Sequence, residues 1–194
     1  GYGFPAPMRA MAVDWWGAAC VLVPWAQYMA QGDIQVLKDM YPVMKKYVKA
    51  CRFWAGFGVG KHRYIWNTPS VLHFGDWVAP DVPKMSQWQK RSKWTATASL
   101  YNTSRITAMT ADILGEKEDA EYFKKLSDKV ADAYVAVFTD GKGKMKEEFQ
   151  TAYVLPLWFK MFPEDAQKKA AENLAQLAGR SDYCIGTGFP GTPY

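Results

Sequence analysis

Six predicted helices alternate between two kinds along this chain, and this alternation limits the fold more than any other feature. The first, third and fifth carry little or no charge, whereas the second, fourth and sixth have one apolar stripe and many charged residues. A helix that is apolar nearly all round is buried on most sides, and a helix with one stripe lies at the surface. The predicted helices cover 16–31, 34–56, 93–114, 117–138, 150–162 and 165–178.

The connections between these helices also alternate, in length. Joins from an uncharged helix to the next charged one are short, at 32–33, 115–116 and 163–164, whereas the joins at 57–92 and 139–149 are long. Short joins produce antiparallel helix pairs. We therefore predict an all-α fold, an α/α toroid in which three helical hairpins form about half of an (α/α)6 barrel. The inner layer is uncharged, the outer layer is charged, and the long loops share one face.

Local residues add detail to this scheme. Gly32 and Asp33 are a helix C-cap and the next N-cap, Pro24 predicts a kink or broken start, and Pro42 suits the first turn of a restarted helix. The segment 1–15 is predicted to be a loop, and 139–149 to contain a small hairpin.

The long connection 57–91 is the main candidate for a functional region. It contains both histidines, His62 and His73, three tryptophans, and Asp76 followed by Trp77. Structureless loops of this length are uncommon in compact domains unless they have a function. Aromatic rings beside a carboxylate, on a loop presented by helices, suggest a surface for a polar, ring-shaped ligand. The hairpin scheme places Trp16 on the same face.

Each of these residues also has a purely structural interpretation. Asp76 either binds ligand hydroxyls beside an indole platform or forms an Asx-turn next to a buried tryptophan, and the sequence leaves both open. For Trp15 and Trp16, a core position is weighed against a ligand platform. His73 is interpreted as structural rather than as an acid or base, because the sequence shows no partner for it.

Composition argues against several functional classes. The net charge is +5, but the lysines are scattered among acids on helices, so we expect solvated faces and no nucleic-acid partner. No apolar run is long enough to cross a bilayer, so no membrane partner is expected. Three distant cysteines predict buried thiols rather than a disulfide framework. The chain has no serine-hydrolase, nucleotide-binding or zincin motif, and we expect neither cofactor nor metal.

Several motifs, in order, resemble the catalytic (α/α)6 barrel of α-L-rhamnosidases, glycoside hydrolase family 78. The resemblance covers nearly the whole chain, and the motifs are weak singly but specific together. They are Asp14-Trp15-Trp16-Gly17-Ala18-Ala19, Val23-Pro24-Trp25, Tyr28, Gly32-Asp33, Phe74-Gly75-Asp76-Trp77, Leu114-Gly115, Gln150-Thr151-Ala152-Tyr153, Leu155-Pro156-Leu157, Thr187-Gly188-Phe189 and Gly191-Thr192-Pro193-Tyr194.

The resemblance implies an inverting hydrolase that releases terminal L-rhamnose from glycosides or polysaccharides. It implies that Trp16, Trp77 and Tyr101 line the rhamnose subsite and that Asp76 orders this wall. A common variant of the first motif has an acid where this chain has Ala18, so the wall is expected to differ there.

The resemblance places the general-acid and general-base glutamates in motifs before and after this segment. Residues 1–194 are therefore interpreted as one α/α-barrel segment of a longer multidomain enzyme, inactive alone and needing the missing barrel segments or self-association. The family favours an extracytoplasmic location. Inversion requires two carboxyl groups about 6.5–9.5 Å apart. The loop-face candidates in this chain are Asp14, Asp76, Asp81 and Asp182.

Two other functional interpretations remain open. The first is another α/α-toroid glycosidase or polysaccharide lyase that acts on a different sugar. The second is a non-catalytic carbohydrate-binding module, for which the loop tryptophans would suffice. A helical protein–protein module, with the aromatic loop as a peptide groove, is a weaker option.

Overall fold

The computed structural model describes residues 12–67, 73–82 and 84–194. Within these ranges the chain forms seven α-helices and a 3₁₀ turn, Gly60–His62, with one isolated β-bridge. The predicted loop over 1–11 and the loop residues 68–72 and 83 lie outside the described residues. The helices are α1 (Ala19–Gln31), α2 (Ile34–Ala55), α3 (Met85–Lys90), α4 (Ser92–Ile113), α5 (Lys117–Phe138), α6 (Gln150–Trp158) and α7 (Glu164–Arg180).

The six longer helices match the predicted ones to within three residues at each end, except that α6 ends four residues early, and two further differences concern Pro42 and the connection 57–91. Helix α2 continues across Pro42 rather than restarting there, and Pro42 is exposed, so water can satisfy the carbonyl that lacks its helical donor. Helix α6 ends at Trp158 because Lys160 adopts a left-handed backbone (φ 57°) and the Met161 N–H bonds back to Pro156 O at 2.8 Å. The connection 57–91 is not without helix, since it contains the 3₁₀ turn and α3.

The predicted caps at the first hairpin are confirmed. Gly32 has φ 71° and donates its N–H to Tyr28 O, which ends α1, and Asp33 accepts a 2.8 Å hydrogen bond from the Gln35 N–H, which starts α2. The predicted small hairpin over 139–149 is also present. Its Thr139–Met145 bridge is accompanied by a hydrogen bond from Lys146 N to Phe138 O at 2.9 Å.

The helices form the two predicted layers. The hairpins are α1–α2, α4–α5 and α6–α7, and the uncharged helices contact one another in the order α1, α4, α6. On the outer layer, Tyr41 Oη donates to Asp119 Oδ2 at 2.7 Å, and the Lys49 ammonium lies 5.8 Å from the centre of the Tyr122 ring. Tyr41 thus pairs with Asp119, and the later Lys49 pairs with the later Tyr122. The outer helices α2 and α5 therefore run parallel, as neighbouring outer helices of a toroid do.

Burial differs sharply among the inner helices. Helix α4 lies between α1 and α6 and is buried along most of its length, and hydroxyls such as Thr97 and Thr103 bond to carbonyls of their own helix. In α1, by contrast, only Val21 and Pro24 are buried, so the expectation that this uncharged helix is covered on most sides is wrong within this chain. The reason is that, among the described helices, α1 has an inner-layer neighbour on one side only.

Candidate functional site at the loop rim

Four aromatic side chains meet on the face that carries the long loops, and we call this group the aromatic wall: Trp16, Phe74, Trp77 and Phe189. The Trp16 ring stacks on Phe189 with centroids 5.0 Å apart and meets Phe74 edge-on at 4.8 Å and Trp77 at 6.4 Å. Trp16 is 39% exposed and Phe189 53%. The wall therefore offers open ring surface, supplied by three segments of the chain that are distant in sequence.

The Asp76 carboxylate lies beneath the wall and is fully buried. Its Oδ1 accepts hydrogen bonds from Thr151 Oγ1 at 2.8 Å and from the Gly188 N–H at 2.9 Å, and its Oδ2 accepts one from Arg91 Nη1 at 3.0 Å. Arg91 also forms a bidentate pair with Asp81 at 2.8 Å. One carboxylate thus joins the loop, the start of α4, the start of α6 and the C-terminal segment.

The electrostatics of Asp76 reflect this burial. Loss of water raises the pKa of the Asp76 carboxyl, while the Thr151 hydroxyl, the Gly188 N–H and the Arg91 guanidinium oppose the rise by stabilising the ionised form. In this chain the Asp76 carboxylate is buried, and its hydrogen bonds run to protein groups distant in sequence rather than to its own turn. Its assignment to the rhamnose subsite stays a prediction.

Two glycines allow the segments to approach this closely. A Cβ atom on Gly188 would lie 2.4 Å from Trp77 O, and one on Gly75, whose φ is 66°, would lie 1.8 Å from Trp88 O. The Phe189 N–H then donates to Trp77 O at 2.7 Å. Gly188 is thus required for backbone contact between the two motifs, and Gly75 is required for the close approach of its loop to Trp88 in α3.

Trp15 and Trp16 have different surroundings although they are adjacent. Trp15 is 7% exposed and donates its indole N–H to Thr95 O at 3.1 Å, so it is a core residue. The buried His73 has a partner that the sequence did not show, because its Nδ1 lies 3.1 Å from Asp14 Oδ1. Burial raises the pKa of Asp14, and His73 opposes that rise. Both observations agree with the structural interpretation of His73.

Tyr101 lies deeper than the wall. Its hydroxyl donates to Phe159 O at 3.3 Å, just beyond the C-terminal end of α6, whereas Thr151 under the wall is at the N-terminal end. Eight residues of helix separate these contacts, or about 12 Å at 1.5 Å per residue. The structure therefore brings Trp16, Trp77 and Asp76 together and places Tyr101 about two helical turns below them.

Sequence reasoning gave no role to several contributors to the site, among them Arg91, Thr151 and Gly188 around Asp76. Phe74 and Phe189 stood in the quoted motifs without a role, and neither carries a polar group that would have marked it. Glu148 was not counted among loop-face acids, yet it lines a cavity of about 230 Å³ together with Asp81 and Gln150. The Gln150 amide fixes the C-terminal segment beside this cavity. Its Nε2 donates a hydrogen bond to Cys184 O and its Oε1 accepts one from the Gly186 N–H, both at 2.8 Å.

The sequence of this chain is similar to those of alpha-L-rhamnosidases. Residues 4–194 match the model of the bacterial alpha-L-rhamnosidase 6 hairpin glycosidase domain. An alpha-L-rhamnosidase of Formosa agariphila is 31% identical over 183 residues, which are 92% of this chain and 18% of that protein. One of Alteromonas sp. is 33% identical over 187 residues, which are 92% of this chain and 19% of that protein.

The fold of this chain is also similar to those of solved alpha-L-rhamnosidase structures. The Streptomyces avermitilis alpha-L-rhamnosidase complexed with L-rhamnose is 31% identical with a TM-score of 0.76, over 94% of this chain and 16% of that one. The native Aspergillus terreus enzyme is 26% identical with a TM-score of 0.81, over 94% and 21%. The chain thus spans about a fifth or less of the length of each of these proteins.

Proposed function

Because this chain belongs to the bacterial α-L-rhamnosidase six-hairpin glycosidase domain family, we propose that it is part of the catalytic domain of a longer hydrolase. This parent protein releases terminal α-L-rhamnose from glycosides or polysaccharides. The observation that carries the proposal is the similarity to rhamnosidases over 92% of the chain.

The aromatic wall supports a role in binding the sugar. L-Rhamnose is a 6-deoxy sugar, so it has a methyl group and an apolar C–H face as well as hydroxyls. The exposed ring of Trp16 and the half-buried ring of Trp77 suit that apolar face, and Tyr101 is assigned to the deeper part of the subsite. Asp76 has the role of holding Trp77 against the segment that carries Phe189.

The proposed reaction inverts the anomeric centre by means of two carboxyl groups about 6.5–9.5 Å apart. Asp14 and Asp76 are buried in contacts with the protein, and Asp81 is engaged by Arg91. These acids are therefore poor candidates for protonating a leaving group or activating water. We assign both roles to glutamates supplied by the rest of the parent protein, and expect residues 1–194 alone to be inactive.

Hydrolysis of aryl glycosides by the parent protein tests the proposal. Release of the aryl group from an aryl α-L-rhamnoside, with none from the matching glucoside or glucuronide, is expected, and NMR of the first-formed sugar should show the inverted anomer. Cleavage of the glucoside or glucuronide instead would favour another glycosidase, and formation of an unsaturated uronate from a uronate polymer would favour a lyase. Sugar binding without hydrolysis of any of the three would favour a non-catalytic carbohydrate-binding module.

A further inference from the structure

A groove on the outer layer, between the C-terminal half of α2 and α5, is lined by cations and aromatic rings. Three adjoining cavities of about 420, 250 and 300 Å³ form it. The first two share Arg52 and Tyr122, and the last two share Tyr64 and Lys129, so the depression is continuous. We call it the basic groove; its defining residues are Lys49, Arg52, Lys61, Tyr64, Tyr122 and Lys129.

Charge in the basic groove is strongly one-sided. The cations above and Lys125 line it, and the acid among its lining residues is Asp132. Lys125 is already paired with Glu121, but within the described ranges no ion pair joins Arg52 or Lys129 to a carboxylate. These cations are therefore free to bind an anion, although other lysines of the outer layer, such as Lys124, are neutralised by acids on their own helix.

The rings hold the cations in place and provide apolar surface. The Arg52 guanidinium lies 4.5 Å from the centre of the Tyr64 ring and the Lys129 ammonium 5.8 Å from the same centre. At one end, Phe53 and Phe57 are 63% and 66% exposed and meet at an interplanar angle of 82°. Each of these rings offers one open face against which the apolar face of a sugar ring can pack.

We propose that the basic groove binds an acidic polysaccharide, in which Arg52 and Lys129 contact sugar carboxylates and Phe53 and Phe57 pack against pyranose rings. The choice of a glycan over a nucleic acid rests partly on the proposed function, because a domain that cleaves rhamnose from polymers already encounters polysaccharide. The groove lies on the outer layer, so it holds the polymer away from the aromatic wall.

Affinity electrophoresis of the parent protein in gels containing polygalacturonate tests this proposal. Retardation is expected in polygalacturonate but not in its fully methyl-esterified form, which has the same backbone without the charges. The double substitution Arg52→Gln/Lys129→Gln should weaken binding about tenfold, since two exposed charge contacts are lost. Lys38→Gln/Lys168→Gln removes the same charge elsewhere on the outer layer and should leave binding unchanged.

A second variant, Lys49→Gln/Lys61→Gln, keeps the proposal testable if the first variant misfolds. It is also expected to weaken binding to polygalacturonate. Equal retardation by the methyl-esterified polymer, equal loss in the Lys38/Lys168 control, or single-stranded DNA bound as tightly as polygalacturonate would each overturn the proposal. Hydrolysis of an aryl rhamnoside should be the same in all variants. If the wild type binds polygalacturonate but does not hydrolyse an aryl rhamnoside, the proposed function is contradicted and the basic groove is not.

Discussion

At the scale of single residues, Asp76 joins segments that are distant in the sequence. Its carboxylate accepts hydrogen bonds from the start of α6, the C-terminal segment and Arg91, while its backbone N–H bonds to Trp88 O at 3.3 Å. The geometry of the aromatic wall therefore depends on a group that has no exposed surface itself. Removing its charge should loosen the wall without removing any ring.

We expect Asp76→Asn to destabilise the parent protein by about 2–3 kcal/mol, because hydrogen bonds to a buried charged group are lost and Arg91 keeps only Asp81. Urea unfolding followed by tryptophan fluorescence measures the change. Asp81→Asn is the matched control, and it should cost about 1 kcal/mol or less because Asp81 is partly exposed. Equal effects of the two substitutions would contradict the role given to Asp76.

A substitution at Trp77 tests whether the aromatic wall binds the sugar. Trp77→Ala is expected to raise KM for an aryl rhamnoside about tenfold, since a ring contact of about 1.5 kcal/mol is lost. Phe53→Ala, an exposed ring on the outer layer, is the control and should leave KM unchanged. Unchanged kinetics in Trp77→Ala would remove Trp77 from the rhamnose subsite.

At the scale of helices, the two outer helices α2 and α5 are joined by a small polar cluster. Asp119 on α5 accepts hydrogen bonds from Tyr41 and Lys45 on α2. Partial burial acts to raise the pKa of the Asp119 carboxyl, but the hydrogen bonds from Lys45 and Tyr41 outweigh it and lower the pKa below the ordinary 3.8. The ionised carboxylate is thus favoured by folding, and the cluster stabilises the pairing of these hairpins.

The lowered pKa predicts a specific pH dependence. The stabilisation by Asp119 is fully present above its ordinary pKa and is lost as pH falls through the lower folded value. Asp119→Asn should therefore cost up to about 1 kcal/mol at pH 6, and the difference from wild type should shrink below about pH 4. Urea unfolding across this pH range measures it, and Tyr41→Phe should give a smaller effect of the same sign. A difference that grows in acid would contradict this assignment.

For the whole molecule, the arrangement of three hairpins leaves apolar surface at both ends of the inner layer. Val23 and Met29 on α1 are 61% and 66% exposed, and Trp158 on α6 is 61% exposed. Exposed apolar side chains on inner helices suit contact with further hairpins of a six-hairpin domain. Within the described ranges, no helix is long and apolar enough to cross a bilayer.

Isolated residues 1–194 are accordingly expected to self-associate, or to stay soluble only when the remaining hairpins are supplied. Gel filtration with light scattering checks this, and Val23→Lys/Met29→Lys should shift the protein toward monomer. Tyr122→Lys, an exposed change on the outer layer, should not. A compact wild-type monomer of 22.0 kDa would contradict the expectation.

The sequence by itself determined the two kinds of helix, their order, the caps at Gly32 and Asp33, and the face on which the loops gather, because charge pattern and loop length act locally. Helix α3 and the early end of α6 escaped prediction because a short helix has little periodicity and a left-handed Lys160 has no compositional signal. Only tertiary structure decided that Trp15 is buried while Trp16 is open, that His73 pairs with Asp14, and that Asp76 reaches Gly188. Contacts between residues so far apart depend on how the hairpins pack, and local sequence does not encode those distances.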